Sequence, residues 1–477
     1  MNFRSNLKQV LRDGRRNAFT ILASAALMLS GCSSSNQTET TSYQCYYDYV
    51  NSKAALPEFD GRLFWSPDSA GARLDVYVSV RESRLKYGRE NNSFIASYSC
   101  VVLLSGNGGA PISKEIDRNV ILASYPEADQ NSFDAFLVSF PIKSGEHNVQ
   151  ISVTDNGSRQ KASRFYTINV PDVVDKPLVL SDIMLLARYD SLVQGRKITP
   201  FILSNVGLLP DTLKFFTVLS SKKSSEDSLF IFAYRIINKE PNVPTFNVQM
   251  SAYQPMAYNP CGNDVDTVLV YRHSTAIDSK EGLSFVFGSL PKPPPGNFLL
   301  KVSATNNLGD SATTSLKFQV HDKDFPKISD NLHDMVNSLN YIAAGVEIKK
   351  ILSEKTDSSV KANLITFWKD HGGLAKMVQY YQRVSLANQL FTSCLEGWKT
   401  PMGMYLIVCG SPDYVECVGE WDERWSYYQS SSQNSMTVIF RLAQETPNIG
   451  DRFYRIEQVY STVDLWDYYV NQWRTPY

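Results

Sequence analysis

Residues 144–156 read SGEHNVQISVTDN, and residues 295–307 repeat the same plan as PGNFLLKVSATNN. In both segments apolar and polar residues alternate, and such alternation predicts a β-strand with one buried face. Each strand runs into a turn that contains Asn and Gly, and a second alternating segment follows at 165–170 in the first copy and at 316–320 in the second. The chain therefore contains two copies of one predicted β-hairpin.

The same alternation extends through the chain before these hairpins. Leu74, Val76, Val78 and Val80 lie at every second position, with Tyr77 on the opposite face. Each hairpin resembles the last pair of strands of an immunoglobulin-like or fibronectin-type sandwich. We therefore predict a multidomain fold with two tandem immunoglobulin/fibronectin-like β-sandwiches, at residues 46–172 and 173–323.

The apolar pattern changes to a helical period after residue 322. One predicted helix has its apolar stripe at Met335, Leu339, Ile342 and Val346. A second helix is predicted to begin at a cap formed by Ser358 or Ser359, and a third to run over about 374–391.

Short strands are then predicted at 404–408 and 436–442, and a last helix is predicted to end near Trp473. Helices followed by strands indicate an α+β domain. We assign it to residues 324–477.

The most distinctive part of this domain is residues 396–413, which read EGWKTPMGMYLIVCGSPD. Together with Phe367, Trp368 and residues 380–388, this segment resembles the GWxTD domain, a family of exported proteins found mainly in the Bacteroidota. The resemblance covers about residues 325–477. It implies that the motif ends a helix and that a strand follows, finishing in Gly-x-Pro-Asp. The matching positions are Gly397, Trp398, Thr400, Gly403, Gly410, Pro412 and Asp413.

Pro401 stands where the family has Asp. If that Asp were catalytic or bound a metal, its loss would disable this copy, whereas a proline at the same turn can fix the backbone. Gly, Trp and Thr supply a turn, packing and local hydrogen bonds more readily than chemistry. We therefore predict that the motif is structural, and the family has no established activity that would transfer to this chain.

The N-terminus has the parts of an export signal. Five basic residues within positions 4–16 precede an apolar run over 18–29, and Leu29-Ser30-Gly31-Cys32 follows. These four residues resemble the lipobox of bacterial lipoproteins, which implies cleavage before Cys32 and lipidation of that residue. A plain signal peptide that is cut at another small residue is the alternative.

On the lipoprotein interpretation, residues 1–31 are a signal peptide and residues 32–45 are the lipidated Cys and a flexible tether. We expect the acyl chains on Cys32 to anchor the protein in the lipid bilayer. Resemblance to lipoprotein sorting rules favours the outer membrane, because no acidic pair follows the Cys. Whether the protein faces the periplasm or the medium stays open.

The charge of the mature chain excludes some partners. Removal of residues 1–31 takes five basic residues and one acidic residue from totals of 47 and 48, which leaves a net charge of −5. A nucleic-acid-binding protein normally shows a clustered basic excess, so no nucleic acid partner is expected. The five histidines are scattered, without His-Glu-x-x-His or paired Cys-x-x-Cys, and we expect neither a metal nor a cofactor.

Six cysteines follow Cys32, an even number that permits disulfides in an exported protein. They are Cys45, Cys100, Cys261, Cys394, Cys409 and Cys417. The pairs nearest in sequence would be Cys45 with Cys100 and two of the last three. Buried free thiols are an equally open interpretation.

Acidic and aromatic residues are concentrated in the stretch 420–428. A carboxylate pair beside aromatic rings could form the active site of a glycosidase. Exposed rings there would form a binding surface. The candidate surface residues are Trp421, Trp425, Tyr427 and Tyr428. Sequence proximity does not set the separation that catalysis needs, so we predict no enzymatic activity. The favoured function is a non-catalytic binding or scaffold component that docks another envelope protein, and the alternative is binding or processing of glycans at 420–428.

Overall fold

The computed structural model divides the chain into the units Met1–Tyr43 and Gln44–Tyr477, and every residue described below belongs to the second. It describes residues 57–475 except 69–70, 91–92, 107–108, 124–131, 175, 191–196, 204, 224, 238–265, 280, 323, 329–330, 354–355, 419–421, 430–433, 446–451 and 462–464. The predicted signal, tether and lipidation site, with Cys32, Cys45, Cys261 and Trp421, lie outside the described residues. Within them, no helix is long and apolar enough to cross a bilayer.

Two sheets, A and B, share one hydrophobic core in the first part of the chain. Sheet A contains β1 (Phe59–Asp68), β2 (Gly71–Arg81) and β6 (Phe133–Ile142). Sheet B contains β3 (Gly88–Glu90), β4 (Ser93–Gly106), β5 (Ile112–Leu122), β7 (Gly145–Asp155) and β8 (Gln160–Val170). Leu74, Val76, Val78 and Val80 are fully buried in this core, as their alternation predicts.

Two further sheets, C and D, share a second core. Sheet C contains β9 (Leu178–Leu180), β10 (Met184–Asp190), β11 (Lys197–Pro200), β12 (Thr212–Ser221) and β15 (Gly282–Pro291). Sheet D contains β13 (Ser225–Ile237), β14 (Asp266–Ser279), β16 (Gly296–Asn306) and β17 (Ser311–Val320). The predicted strands of the repeated sequence are observed as the antiparallel hairpins β7–β8 and β16–β17.

A buried Asx side chain closes each of these hairpins. Asp155 accepts hydrogen bonds from the Gly157 backbone N–H (3.1 Å) and from the Ser158 hydroxyl. Asn306 accepts from the backbone N–H groups of Leu308 (3.0 Å) and Asp310 (2.8 Å). Both copies thus use a side-chain acceptor to satisfy the turn backbone, which explains why Asp or Asn recurs there.

The outer face of sheet A, which includes Tyr77, packs against sheet C of the second pair of sheets. The outer face of sheet A presents Phe64 and Tyr77 to a small apolar cluster on sheet C that includes Met184 and Phe216. The rings of Phe64 and Phe216 lie 5.1 Å apart between centroids. Tyr77 therefore lies on the otherwise polar side of β2 because its ring packs against sheet C.

Asp182 gives this junction a predicted pH dependence. Its Oδ2 accepts a hydrogen bond from the Trp65 backbone N–H (3.1 Å), and burial raises its pKa from 3.8 to about 7. Because the folded state holds this proton more tightly than the unfolded state, the contribution of Asp182 to stability is full below about pH 3.8 and is lost as the pH rises to about 7. Asp182→Asn keeps an acceptor but does not titrate.

We expect the wild-type urea midpoint, measured relative to that of Asp182→Asn, to fall between pH 4 and pH 7 and then to level off. Using the variant as the reference removes the contributions of all other titrating groups. A difference between the two proteins that stays constant across this range would contradict the prediction.

Among the residues that the structure describes, the C-terminal α+β region consists of sheet E and six α-helices. Sheet E contains β18 (Tyr414–Val418), β19 (Asp422–Tyr428), β20 (Ser435–Glu445) and β21 (Arg452–Ser461), in that order. The helices are α1 (Leu332–Ser338), α2 (Gly345–Leu352), α3 (Asp357–Asp370), α4 (Gly373–Phe391), α5 (Pro401–Cys409) and α6 (Leu465–Arg474). The predicted third and last helices correspond to α4 and α6, and the strand predicted at 436–442 lies within β20.

Three local predictions in this region are wrong. The single helix predicted from Met335 to Val346 is divided into α1, a 3-10 turn and α2, so Val346 is 75% exposed. The cap of α3 is Thr356, whose hydroxyl oxygen accepts from the Ser359 backbone N–H (3.3 Å). The strand predicted at 404–408 is the helix α5, because an apolar segment without periodicity does not distinguish a buried strand from a buried helix.

Candidate functional site

The family motif forms a tight turn that leads into a buried helix. Gly397–Lys399 is a 3-10 turn, and α5 follows it with all nine of its residues buried. Thr400 is the N-cap of α5, since its Oγ1 accepts from the Gly403 backbone N–H (3.1 Å) while its hydroxyl donates to the Gly397 carbonyl (2.7 Å). The Thr hydroxyl therefore satisfies the backbone on both sides of the turn.

Gly397 lies where the turn crosses α4. A Cβ atom at this position would lie 1.9 Å from the Ala387 carbonyl oxygen and 2.7 Å from the Asn388 Cα. Both neighbours are backbone atoms of a helix and cannot rotate away. The first letter of the motif is therefore glycine because the turn packs directly against the α4 backbone.

Trp398 is held on all sides. Its backbone N–H donates to Asn388 Oδ1 (3.0 Å), and its indole Nε1 donates to Glu396 Oε2 (2.8 Å). Its carbonyl accepts from the Tyr341 hydroxyl (2.5 Å), and the Lys399 ammonium lies 5.0 Å from its ring centroid. Trp398 is 4% exposed, so the ring is part of the domain core and does not form a contact surface.

Pro401 occupies the first position of α5. The N–H that a proline lacks is one of the N–H groups that a helix leaves without an internal partner at its first turn, and the ring presets the helical φ. The proline in place of the family's Asp is thus compatible with the helix start. This geometry favours a structural role for the motif's last position.

At the other end, Gly410 follows α5 with φ +87°, and Arg383 caps the helix. The Arg383 Nη1 donates to the carbonyls of Ile407 (3.1 Å) and Val408 (3.3 Å), and its guanidinium lies 5.0 Å from the Trp473 ring centroid. Burial lowers the pKa of Arg383. A cation at a helix C-terminus is stabilised by the partial negative charge of the last carbonyls, so α5 itself supplies the compensating charge.

The Pro412-Asp413 pair connects α5 to sheet E. Pro412 is buried, and the Asp413 backbone N–H donates to the Ser426 carbonyl (2.9 Å). Its Oδ2 accepts from the Tyr428 backbone N–H (2.7 Å). Asp413 thus extends the pairing of β18 with β19 by two hydrogen bonds.

The proposed binding surface at 420–428 is corrected by the burial of its rings. Trp425 is 0% exposed and Tyr427 is 1% exposed, because alternate residues of β19 face the helices. Of the candidates within the described residues, only Tyr428 is exposed, at 55%. Trp425 and Tyr427 therefore belong to the domain core.

The described carboxylates in and beside this stretch are divided between the two faces of sheet E. Glu423 is buried, and its Oε2 accepts from the Trp425 indole N–H (3.1 Å). On the other face Asp422 pairs with Arg441 (2.9 Å) and Glu416 with Arg424 (2.7 Å). Glu423 therefore does not form an acid pair with Asp422 or Glu416. No group of three metal-ligating side chains occurs among the described residues.

The described cysteines contradict the first of the two sequence-local pairings and are compatible with a pair within the last three cysteines. Cys100 and Cys409 are buried free thiols, and burial raises the pKa of Cys409 well above 9.0. A Cys45–Cys100 bridge is therefore wrong, because Cys100 is a free thiol. Cys394 is disulfide-bonded.

Two residues that organise the site were named from the sequence only as part of the family-like segment 380–388, without a role. Asn388 is 1% exposed and links the Trp398 N–H to the Pro326 carbonyl (3.0 Å) through its Nδ2. Arg383 caps α5. A polar residue on the apolar face of the predicted helix at 374–391 was the available signal for Asn388, because a buried amide needs partners.

Comparison with known proteins identifies this region. The GWxTD domain model matches residues 304–475, so it starts within β16, earlier than the sequence resemblance had placed it. No curated protein matches the chain in sequence.

Several solved structures are similar to parts of the chain. Red sea bream transglutaminase shares 10% identity at a TM-score of 0.16, with 55% of this chain and 32% of that protein covered. A calcium-binding mutant of Bacteroides uniformis β-glucuronidase 2 shares 8% identity at 0.19, with 52% and 26% covered. A bacterial ice-binding adhesin shares 12% identity at 0.16, with 56% and 66% covered. The chain thus spans a third or less of the first two proteins, and TM-scores this low support no conclusion.

Proposed function

This chain is a GWxTD domain-containing protein, and on that premise we propose that it is a lipid-anchored component of the cell envelope with a non-catalytic binding or scaffold role. In this proposal residues 46–172 and 173–323 are two immunoglobulin/fibronectin-like modules, and residues 324–477 dock an outer-membrane or periplasmic protein complex. Cys32 carries the lipid, and the outer membrane is the favoured location.

The hydrogen bonds made by the motif's polar groups are the observation that supports a non-catalytic role. The Thr400 hydroxyl is hydrogen-bonded as donor and acceptor, the Trp398 indole is paired with Glu396, and Asp413 accepts from backbone. A nucleophile or general base must instead present its reactive atom to a substrate. The described motif residues hold the turn and α5 in place, which suits a rigid recognition domain.

Lipid anchoring predicts a large effect of one substitution. Cys32→Ser removes the thiol that would carry the acyl chains, so we expect the chain to move from the membrane fraction to the soluble fraction and to lose incorporation of labelled fatty acid. Ser35→Ala is the matched control and should stay in the membrane fraction. If Cys32→Ser remained membrane-bound, anchoring at this residue would be refuted.

The docking role is tested by crosslinking in native membranes followed by affinity purification of the full chain. We expect one envelope protein to copurify in a fixed molar ratio, because a scaffold contact is stable and stoichiometric. Protease treatment of intact cells then separates a surface location from a periplasmic one. Purification of the chain without any stoichiometric partner would contradict the docking proposal.

A further inference from the structure

The outer face of sheet D carries a row of aromatic side chains. Along β13 the core-facing residues Leu229, Ile231 and Ala233 are at most 1% exposed. The residues between and after them, Phe230, Phe232 and Tyr234, therefore project from the opposite face, where they are half-buried. We call Phe230, Phe232, Tyr234, Arg272 and Lys301 the aromatic face.

The three rings form a regular array. Their centroids are 6.5 Å apart from Phe230 to Phe232 and 6.2 Å apart from Phe232 to Tyr234, with interplanar angles of 14° and 28°. This spacing equals about two residues of an extended strand, so each ring projects from β13 in the same way. The array is linear, unlike the closed pocket around a hot-spot side chain at a protein–protein interface.

Cations flank the middle ring on both sides. Phe232 is paired in register with Arg272 on β14 and with Lys301 on β16, and both cations are exposed. The Arg272 guanidinium lies 5.8 Å from the Phe232 ring centroid. In the neighbouring rows across the sheet, Phe230 is paired with Ser274 and Ser303, and Tyr234 is paired with Leu269 and Leu299.

The face therefore carries positive charge, although the net charge of the chain is negative. No carboxylate occupies these three rows of described residues, whereas the outer face of sheet E pairs its carboxylates with arginines. A ligand that neutralises both cations must carry negative charge.

We propose that the aromatic face binds an anionic polysaccharide, such as a chain of uronic acids. Sugar rings present flat C–H surfaces that pack on aromatic side chains, and a polymer with one ring per repeat matches a linear row of rings. The carboxylate of a uronic acid can accept paired hydrogen bonds from Arg272 and a charge-assisted hydrogen bond from Lys301. This site is distinct from the residues 420–428 of the glycan hypothesis and does not depend on the docking role.

The test is affinity electrophoresis of the full chain in gels that contain polygalacturonate, with pullulan as the neutral comparison. We expect retardation by polygalacturonate that weakens as salt is added, and none by pullulan. Phe232→Ala combined with Tyr234→Ala should weaken binding by about tenfold or more, which corresponds to about 1.4 kcal/mol. Phe232→Tyr keeps the ring and should retain binding.

Lys301→Gln should weaken binding and reduce its salt dependence. The matched controls are Lys161→Gln, an exposed lysine on β8, and Phe285→Ala, a ring on β15 that is 59% exposed. Both should bind as the wild type does.

Polyglutamate and vesicles of phosphatidylglycerol test an acidic protein and an anionic bilayer as the ligand. The proposal is overturned if polygalacturonate does not retard the chain, whether or not polyglutamate or the vesicles bind. It is also overturned if the control variants lose as much affinity for polygalacturonate as the aromatic-face variants do.

Discussion

Gly397→Ala is expected to destabilise the C-terminal region by about 3 kcal/mol or more, because overpacking against rigid backbone is at the severe end of small-to-large substitutions. The added methyl would lie 1.9 Å from the Ala387 carbonyl oxygen, so the 3-10 turn must move away from α4. That movement also breaks the hydrogen bond from the Trp398 N–H to Asn388. Urea unfolding followed by tryptophan fluorescence measures the change.

Gly345→Ala is the matched control for this prediction. Gly345 opens α2, and a Cβ atom there meets no heavy atom within 4 Å. Alanine has the higher helix propensity, so this variant should be as stable as the wild type or more stable by up to about 1 kcal/mol. Equal stability of Gly397→Ala and the wild type would show that the close approach at the motif is not required.

The sheets were predictable because burial of one strand face repeats at every second residue. The alternation from Leu74 to Val80 therefore identifies β2, and the repeated segments identify β7–β8 and β16–β17. The role of Tyr77 was not predictable, because its ring packs against sheet C and nothing local in the sequence encodes that contact.

Helix α5 shows why the site was harder to predict. All its residues are buried, so it has no polar face and no helical period. The signal that favours a helix is the cap, with Thr400 as N-cap and Pro401 at the first helical position. Trp425 and Tyr427 were placed on the surface because closeness to charged residues in sequence does not reveal which face of a strand a ring occupies.

Asn388→Leu is expected to destabilise the same region by about 1–3 kcal/mol or more, because it leaves the buried Trp398 N–H without a partner and removes the donor to the half-buried Pro326 carbonyl. Asn388 Oδ1 accepts from the Trp398 N–H and Asn388 Nδ2 donates to the Pro326 carbonyl, both at 3.0 Å. The side chain thereby connects α4 to the motif turn and to the segment that precedes α1. Leucine fills a similar volume, so the loss reports the hydrogen bonds and not a cavity.

Two further variants separate this role from a general sensitivity of α4. Gln389→Leu makes a comparable amide-to-leucine change at the next, exposed position and should alter the urea midpoint little. Asn388→Asp keeps the acceptor for Trp398, and when it is protonated its O–H can donate to the Pro326 carbonyl. At a pH where the carboxyl group is protonated, its stability should therefore lie between those of the wild type and Asn388→Leu. If Asn388→Leu unfolded at the wild-type urea concentration, the motif turn would have to be held by Thr400 and Gly397 packing alone, and the amide would be dispensable.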